Sequence, residues 1–343
     1  MALSEKQLEQ LRDIFDTVHR PVVLFDDDPD GLSSFLMIYK HIKEGRGMPV
    51  KSAPELGADF CQKVNDYGPD AVIIVDVPVL SQEFLNRIRS RIIWIDHHPV
   101  LERKGVEYFN PRASDPGDNR PTSYWVYKAL QENLWIAMMG IVGDWFLPEP
   151  KILDEFTSKY PELLSTDITK PEVALHTSKL GELIQMISFN LKGKTSDVVK
   201  SVKVLTRIKE PSEILEQATA QGRFIYRKYA KLKSKYDKLL SMVEVKPDDK
   251  LLLFMYNSPD YSFSSELSNE LLYKHPGKVI MVVWEYNGEY KVSMRSTKVN
   301  LPNLIGKALE GIRGYGGGHD HAAGANVKMA DFDTFVENIR KQL

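Results

Sequence analysis

The residues best suited to chemistry are Asp96-His97-His98, which directly follow the apolar run Ile92–Ile95. Two adjacent imidazoles behind a carboxylate, at the end of a buried strand, are poor material for a core. They are good ligands for a divalent metal ion that substrate can reach. The triplet therefore predicts a metal site, and the rest of the chain can be compared with that prediction.

Further carboxylates follow apolar segments in the same way. They are Asp26, Asp28 and Asp30 after Pro21–Phe25, Asp76 after Ala71–Val75, and Asp144 after the segment 134–142. Because ligands bind outside the carboxyl ends of strands in open α/β sheets, we expect these acids to share one edge with the triplet. Clustered carboxylates need cations, since like charges raise one another's pKa values. Oxygen ligands with one or two imidazoles suit Mn²⁺ or Mg²⁺ better than Zn²⁺.

Two other motifs resemble known ligand-binding loops and fail on inspection. The run 26–31 matches the opening of a calcium EF-hand loop, but Met37 stands where that loop needs a glutamate. Gly193-Lys194-Thr195 matches the end of a phosphate-binding P-loop, but Ser188 replaces its first glycine. No dinucleotide-binding glycine fingerprint follows any predicted strand.

The elements that position these acids are readable from the periodicity. The runs Pro21–Phe25, Ala71–Val75 and Arg91–Ile95 are continuously apolar, which is typical of parallel strands buried on both faces. Helical patterns at 32–43 and 81–90 lie between them and indicate βαβ units. Residues 110–121 form a turn-rich loop, and Thr122 or Ser123 is the expected helix N-cap.

The second half of the chain changes its pattern twice. From about Pro150 to Met242 the sequence is almost wholly helical, and Glu213–Met242 is expected to be one long helical stretch. Beyond it, strands are predicted at 250–256, 278–286 and 289–295, the last two joined by a hairpin turn at Asn287-Gly288. The fold class is therefore α/β, with a parallel-sheet domain, a helical linker and a smaller C-terminal α/β domain.

A second dense motif lies near the C-terminus, at 314–325. Gly316, Gly317 and Gly318 allow the backbone to approach a ligand and turn its amides toward an anion, and His319 beside them can donate to a phosphate. Arg295 closes a predicted strand and is a candidate for bidentate phosphate contact. The alternative for the glycines is a flexible turn before an edge strand.

A basic and aromatic stretch occupies 223–238. It contains Arg223, Arg227, Lys228, Lys231, Lys233, Lys235 and Lys238, with Phe224, Tyr226, Tyr229 and Tyr236 among them. Such a helix can guide a nucleic acid backbone, or it can be a solvated linker whose aromatic rings are packed.

The bulk composition excludes several classes. The 343 residues carry a net charge of −2, so any binding of a polyanion depends on metals or a local patch. One cysteine, Cys61, rules out an intramolecular disulfide and favours a reducing cytoplasm. No apolar segment approaches the ~20 residues that a membrane span needs, and no signal-peptide pattern opens the chain.

Together these motifs resemble the DHH phosphoesterase superfamily with its DHH-associated C-terminal domain, closest to archaeal RecJ-like nucleases and nanoRNases. The matching segments are FDDDPDGLSS, VDVP, IDHHP, GIVGDW, MRS and GYGGGHDHAAGA, in the family's order. The resemblance implies a DHH domain over 1–190, a helical linker over 191–245 and a substrate-binding domain over 246–343.

The resemblance also implies two divalent ions, preferably Mn²⁺ with Mg²⁺ as the substitute. Their ligands would be Asp26, Asp28 and Asp76 for one ion, and Asp30, Asp76, His97 and Asp144 for the other. Asp26 stands where relatives often carry histidine. His98 would contact substrate and Asp96 would orient an imidazole. Arg295, the glycines 316–318 and His319 would bind the terminal nucleotide.

The implied activity is a two-metal phosphodiesterase or exonuclease that converts short single-stranded RNA or DNA to mononucleotides. The motifs leave open a hydrolase of small nucleotides, such as a cyclic dinucleotide or nucleoside bisphosphate. They also leave open a non-catalytic replication or repair scaffold, although such relatives have typically lost metal ligands. A family II pyrophosphatase is disfavoured by the glycine-histidine motif. A homodimer or a replication partner is compatible with the sequence.

Overall fold

The computed structural model describes residues 2–50, 56 and 59–343, with the backbone alone at Asp59 and His319. The chain forms two compact units, residues 1–229 and residues 230–343. No helix among the described residues is long and apolar enough to cross a membrane. Each unit contains one five-stranded sheet.

The first unit is built on a parallel sheet with strand order β2-β1-β3-β4-β5. Its strands are β1 (Val22–Asp26), β2 (Arg46–Val50), β3 (Ala71–Val75), β4 (Arg91–Ile95) and β5 (Glu107–Phe109). The strand order reverses between β1 and β3, which is where open α/β sheets bind ligands. The three buried strands predicted from apolar runs are confirmed as β1, β3 and β4.

Helices cover both faces of this sheet. The helices that lie wholly within this unit are α1 (Glu5–Thr17), α2 (Pro29–Ile42), α3 (Asp59–Tyr67), α4 (Gln82–Arg87), α5 (Thr122–Leu130), α6 (Leu134–Gly143), α7 (Pro150–Lys159), α8 (Pro171–Thr177), α9 (Lys179–Asn190), α10 (Thr195–Leu205) and α11 (Ser212–Leu215). α3 and α4 pack on one face, where Val64 and Phe84 join the fully buried Trp94 of β4. α2, α5 and α6 pack together on the other.

Two predictions about helix ends are wrong. The N-cap of α5 is Pro121, and the predicted caps Thr122 and Ser123 are already helical. A local side-chain cap is not needed, because the amides of Thr122 and Ser123 donate to the carboxylate of the distant Asp30. The long stretch from Glu213 is interrupted as well. Gln217 adopts a left-handed φ of 55°, and the chain restarts as α12 (Ala220–Ser241). α12 begins in the first unit and ends in the second.

The second unit has a mixed sheet with strand order β6-β7-β8-β10-β9, in which only the β6–β7 pair is parallel. Its strands are β6 (Leu251–Asn257), β7 (Val279–Tyr286), β8 (Glu289–Arg295), β9 (Gly314–His319) and β10 (Ala322–Lys328). Its helices are α13 (Ser264–Lys274), α14 (Leu301–Ala308) and α15 (Phe332–Arg340). α14 and α15 cover one sheet face, where Met281, Met294 and Phe335 are fully buried, and α13 packs against β7 and β8. The α/β fold class is confirmed.

Candidate metal centre

Three of the predicted ligands lie where β1 meets α2. Asp26 is the last residue of β1, and Asp28 is the N-cap of α2, with its Oδ1 accepting a 2.9 Å hydrogen bond from the amide of Gly31. A Cβ atom at Gly31 would stand 2.6 Å from the carbonyl oxygen of Asp26. The glycine therefore lets the helix begin directly against the strand end, which brings the three acids of this turn together.

Asp30 is tied to a second helix. Its Oδ2 accepts from the amide of Thr122 and its Oδ1 from the amide of Ser123, both at 2.8 Å. These amides belong to the first turn of α5, where backbone N–H groups have no partner within the helix and favour an anion. Asp30 is 1% exposed. Nothing in the sequence indicated this pairing, because the residues are 92 and 93 positions apart.

Asp76 follows β3 and bends the chain sharply. Its φ is +61°, in the left-handed region, and its amide donates a 3.0 Å hydrogen bond to the carbonyl of Ile95. Its Oδ1 lies 3.4 Å from the hydroxyl of Thr122. Asp76 is 2% exposed. The turn holds its carboxylate at the switch point between β1 and β3.

His97 joins the acids of two other elements. Its Nε2 lies 3.4 Å from Asp76 Oδ1 and 3.7 Å from Asp144 Oδ2. Asp144 is the C-cap of the buried helix α6, and its amide donates to the carbonyl of Gly140. The chain thus delivers the imidazole from a strand end and the carboxylate from a helix end.

The ligand atoms form three overlapping groups, each with atoms within 4.8 Å of one another. They are Asp26, Asp28 and Asp76; Asp30, His97 and Asp144; and Asp76, His97 and His98. Asp76 belongs to two groups and His97 to two. All six residues predicted as metal ligands are therefore brought together, in groups that overlap at Asp76 and His97.

Crowding and burial shift the acids toward their protonated forms. Burial, followed by the charge of Asp30, raises the pKa of Asp28 to about 6 and raises those of Asp76 and Asp144 well above the ordinary range. Burial also lowers the pKa of His97 to about 4, so its imidazole is neutral and able to ligate. The donor set of oxygens with a neutral imidazole fits divalent cations.

His98 is held by the carboxylate of Asp96. Its Nδ1 lies 2.8 Å from Asp96 Oδ1, and its amide donates to Asp96 Oδ2 at 3.1 Å. Although burial opposes protonation, the hydrogen bond and charge of Asp96 raise the pKa of His98. Asn110 supports this pair by donating to the carbonyl of His98 at 2.9 Å and to the hydroxyl of Tyr108 at 2.7 Å. The interpretation of Asp96 as an orienting residue agrees with these contacts.

Asn110 and Arg112 were not predicted as site residues because 110–121 was expected to be a turn-rich loop, and Tyr108 lies in the short strand β5 just before it, which was not predicted either. The Nε of Arg112 donates to the carbonyl of Asp118 at 2.8 Å. Burial and the charge of Asp30 raise the pKa of Asp144, and the positive charge of Arg112 opposes that rise. The only sequence signal was an arginine next to a strand-end Asn-Pro turn, on the same edge as the acids.

Arg295 lies in the second unit and is anchored by α13. Its Nε donates to Asn269 Oδ1 at 2.6 Å, and its Nη2 to the hydroxyl of Ser265 at 3.1 Å, at the first turn of that helix. Burial lowers the pKa of Arg295 to about 10. A partly desolvated guanidinium at a helix N-terminus favours an anion. Phosphate binding at this place stays a prediction.

The three glycines form part of the edge strand β9, and their surroundings differ. A Cβ atom at Gly316 would stand 2.7 Å from Ile305 of α14, and Gly318 has a φ of +139° with Ala322 and Ala323 close by. Gly317 has nothing within 4 Å. Close packing thus explains Gly316 and Gly318. Gly317 has no such neighbour, and its lack of a side chain leaves the backbone uncovered on the opposite face of the sheet. The side chain of His319 lies outside the described residues.

The basic stretch on α12 is mostly a helix surface with its aromatics packed. Tyr229 and Tyr236 are buried, and Lys233 pairs with Asp237. Phe224 is 40% exposed, and Arg227 and Lys231 face solvent. Two of the four aromatic rings, Tyr229 and Tyr236, are therefore packed as the linker interpretation expects, and the role of the exposed Phe224 and of the exposed cations stays a prediction.

Comparisons with known families cover both units. The DHH family N-terminal domain model matches residues 21–152, and the DHHA1 domain model matches residues 254–343. A comparison with curated protein sequences gives no match.

Several solved structures share the fold. RecJ in complex with Mn²⁺ from Thermus thermophilus has a TM-score of 0.72 and 16% identity over 100% of this chain and 55% of that chain. Exonuclease RecJ bound to manganese has a TM-score of 0.64 and 14% identity over 100% and 95%. The pGpG-specific phosphodiesterase PggH from Vibrio cholerae has a TM-score of 0.50 and 12% identity over 94% and 98%. The chain spans about half the length of Thermus RecJ.

Proposed function

Because this chain belongs to the DHH family and carries a DHHA1 domain, we propose that it is a metal-dependent phosphodiesterase. Its substrates would be short single-stranded RNA or DNA, from which it releases mononucleotides. The observation that carries the proposal is the overlap of the ligand groups, in which Asp76 and His97 each belong to two. Two ions sharing a carboxylate are typical of phosphodiester hydrolysis.

Mn²⁺ is the preferred ion in this proposal, with Mg²⁺ as the substitute. Asp26, Asp28 and Asp76 would hold one ion, and Asp30, His97 and Asp144 the other, with Asp76 shared. When bound, the ions supply a water activated at neutral pH and neutralise charge on the phosphoryl oxygens. In support, Thermus RecJ is known with Mn²⁺ and with Mg²⁺.

The protein's own acid in this proposal is His98. Its Nδ1 faces Asp96, so its Nε2 is the nitrogen that would donate to a substrate oxygen. Although burial opposes protonation, the hydrogen bond and charge of Asp96 raise the pKa of His98, which suits proton donation to the leaving alcohol. Asp96 and Asn110 position that ring without contacting substrate.

Arg295, the bare backbone at Gly317 and His319 would bind the terminal nucleotide. The support for Arg295 is that its guanidinium is partly desolvated and lies at the first turn of α13. A bound phosphate would stabilise the positive charge of this guanidinium. In this proposal the guanidinium holds the phosphate at one end of the substrate.

A hydrolase of small nucleotides is the second candidate. Its support is the fold likeness to the pGpG-specific phosphodiesterase PggH, over nearly the full length of both chains. A scaffold without activity is disfavoured, because all six predicted ligands are retained and lie together.

A substrate panel with Mn²⁺ tests the proposal. End-labelled RNA and DNA of two, five and twenty nucleotides are compared with cyclic dinucleotides and with a nucleoside bisphosphate. We expect mononucleotides from the short oligomers, and no product with EDTA or from Asp144→Asn. Turnover confined to cyclic dinucleotides or bisphosphates would favour the second candidate. Metal binding without turnover of any phosphodiester would revive the scaffold.

A further inference from the structure

The face of the second unit's sheet that α14 and α15 leave uncovered carries an aromatic row. By strand register, Trp284 on β7 pairs with Lys291 on β8, Lys291 with Asn326 on β10, and Asn326 with Tyr315 on β9. We call these four residues the aromatic row. Neighbouring strands lie ~4.8 Å apart, so the row extends for about 14 Å across the sheet.

Contacts between the side chains place the row on one face. Asn326 Nδ2 donates to the hydroxyl of Tyr315 at 3.3 Å and to Glu289 at 2.6 Å. The Nζ of Lys291 lies 5.6 Å from the ring centroid of Trp284 and 4.8 Å from that of Tyr286. The two rings are stacked with centroids 4.5 Å apart. A cation is therefore held over a pair of aromatic rings.

Part of this face is covered by α13, and Trp284 on β7 donates from Nε1 to the carbonyl of Ser258 at 2.9 Å, whereas Tyr315 on β9 is exposed. α13 lies over the middle of β8, where the hydroxyls of Ser268 and Ser293 are 3.0 Å apart. Tyr315 on the edge strand β9 is the most exposed large side chain of apolar character among the described residues, at 73%. Gly317 lies two residues from Tyr315 on β9 and pairs with Gly324 on β10. Next to the aromatic row, these two strands therefore present backbone without side chains. The β10 and β9 side therefore forms an open floor with a phenol ring at its rim.

The charge of this face favours an anionic ligand. Among the described side chains that β8 and β10 place here, Lys291, Arg295 and Lys328 are basic and Glu289 is acidic. Glu289 is engaged by Lys328 and Asn326. Exposed rings next to cations and bare backbone are what single-stranded nucleic acid binds, since every base has a face that can stack.

We propose that the aromatic row is a second nucleotide subsite, which binds a base and phosphate beyond the terminal nucleotide. It rests on the proposed function, in which Arg295 fixes the end of the chain. Lys291 lies four residues from Arg295 on the same strand and face, about 13 Å at the rise of ~3.3 Å per residue. That separation is longer than the step from one nucleotide to the next, so in this proposal the row is reached by linear oligonucleotides longer than two nucleotides and not by dinucleotides or cyclic dinucleotides.

The test is binding of labelled single-stranded oligonucleotides to the full chain in EDTA, where no hydrolysis occurs. Fluorescence anisotropy compares a heptanucleotide with a dinucleotide. Tyr315→Ala and Lys291→Gln are each expected to weaken heptanucleotide binding about tenfold, and more than dinucleotide binding. Tyr315→Phe keeps the ring and should retain binding. Lys307→Gln, an exposed lysine on α14 over the opposite face, is the matched control.

The outcomes separate this inference from the proposed function. Mononucleotide release by the unaltered chain, with heptanucleotide affinity unchanged in Tyr315→Ala and Lys291→Gln, would overturn the subsite alone. Loss of affinity in both variants without any hydrolysis would support the subsite and contradict the activity. A change in sedimentation mass of Tyr315→Ala, with unchanged oligonucleotide binding, would instead assign the face to a second copy of the chain and overturn the proposal.

Discussion

The carboxylate of Asp30 accepts a 2.8 Å hydrogen bond from the backbone amide of Thr122, 92 residues further along the chain. This contact and its counterpart from Ser123 cap α5 with a residue that is also a proposed metal ligand. The same carboxylate therefore stabilises the fold and prepares the site. The carboxylate of the neighbouring Asp144 belongs to the proposed metal site, and it is the backbone amide of this residue that bonds to its helix.

Asp30→Asn and Asp144→Asn should consequently differ in stability. An asparagine side chain in place of Asp30 presents one acceptor where two N–H groups converge, so one buried donor loses its partner at a cost of about 1–3 kcal/mol. Asp144→Asn removes a crowded carboxylate and should leave the metal-free protein at least as stable. Urea unfolding in EDTA measures both. Equal destabilisation would show that the cap contributes nothing.

Mn²⁺ should raise the melting temperature of the chain, and EDTA should reverse the rise. A ligand at a hundred times its Kd stabilises the folded state by about 2.7 kcal/mol. His97→Ala and Asp144→Asn should reduce both the shift and the Mn²⁺ affinity measured by titration calorimetry. His275→Ala, on a residue outside the ligand groups, is the control. An unchanged shift in either ligand variant would contradict the assignment of the site.

Asn110→Ala should lower kcat about 10- to 100-fold with little change in KM, because Asn110 holds the carbonyl of His98 and the hydroxyl of Tyr108. Tyr108→Phe removes one hydrogen bond of the same network and should have a smaller effect. Steady-state kinetics on a short oligonucleotide, with the pH dependence of kcat, distinguishes positioning of His98 from general destabilisation. A wild-type pH profile with normal kcat in Asn110→Ala would exclude the positioning role.

Gly316→Ala and Gly317→Ala form a matched pair on one strand. The first places a Cβ 2.7 Å from Ile305 and should cost about 1–3 kcal/mol through overpacking. The second meets nothing within 4 Å and should not destabilise the strand. Its effect should fall on substrate affinity, because the methyl group would occupy the bare floor. Thermal unfolding and KM measured on both variants give the comparison.

Arg340→Gln should weaken the second unit only above acidic pH. Burial raises the pKa of Asp249, but hydrogen bonds from Arg340 and from the amide of Leu251 outweigh it, and the net shift is downward. A carboxyl group whose pKa is lowered by folding stabilises the folded state at pH values above its unfolded pKa of ~4. This contribution is lost as the pH falls through the pKa of the native state. The pair is partly exposed, so the effect at pH 7 should stay below about 1 kcal/mol. Unfolding of both proteins at pH 7 and pH 3 measures it.

The sequence predicted Asp26, Asp76 and Asp96 because strand ends are recognisable in it, whereas the apolar segment before Asp144 is the helix α6. Buried parallel strands have continuous apolar runs, and each run ends at the residue that the sheet places on its edge. β2 was missed because Gly47 and Pro49 interrupt its pattern. β9 was missed because glycines carry no strand preference, and its order depends on pairing with β10.

Contacts between distant parts of the chain were out of reach. The bonds from Thr122 and Ser123 to Asp30, and from Asn110 to His98, depend on how helices and loops pack over the sheet edge. Periodicity describes each element alone, and a hydrogen bond across 92 residues leaves no local pattern. The same limit concealed which of the glycines are required by packing.

The left-handed turn at Asp76 also restricts which residue types can serve there. Aspartate is among the few side-chain-bearing residues that adopt positive φ readily, because its short carboxylate can bond locally, whereas glutamate does so rarely. Asp76→Glu would keep the charge and lengthen the reach, yet the backbone would resist it. The identity of the shared ligand is therefore selected by the peptide geometry as well as by the ions, and asparagine is the replacement that the turn itself would accept.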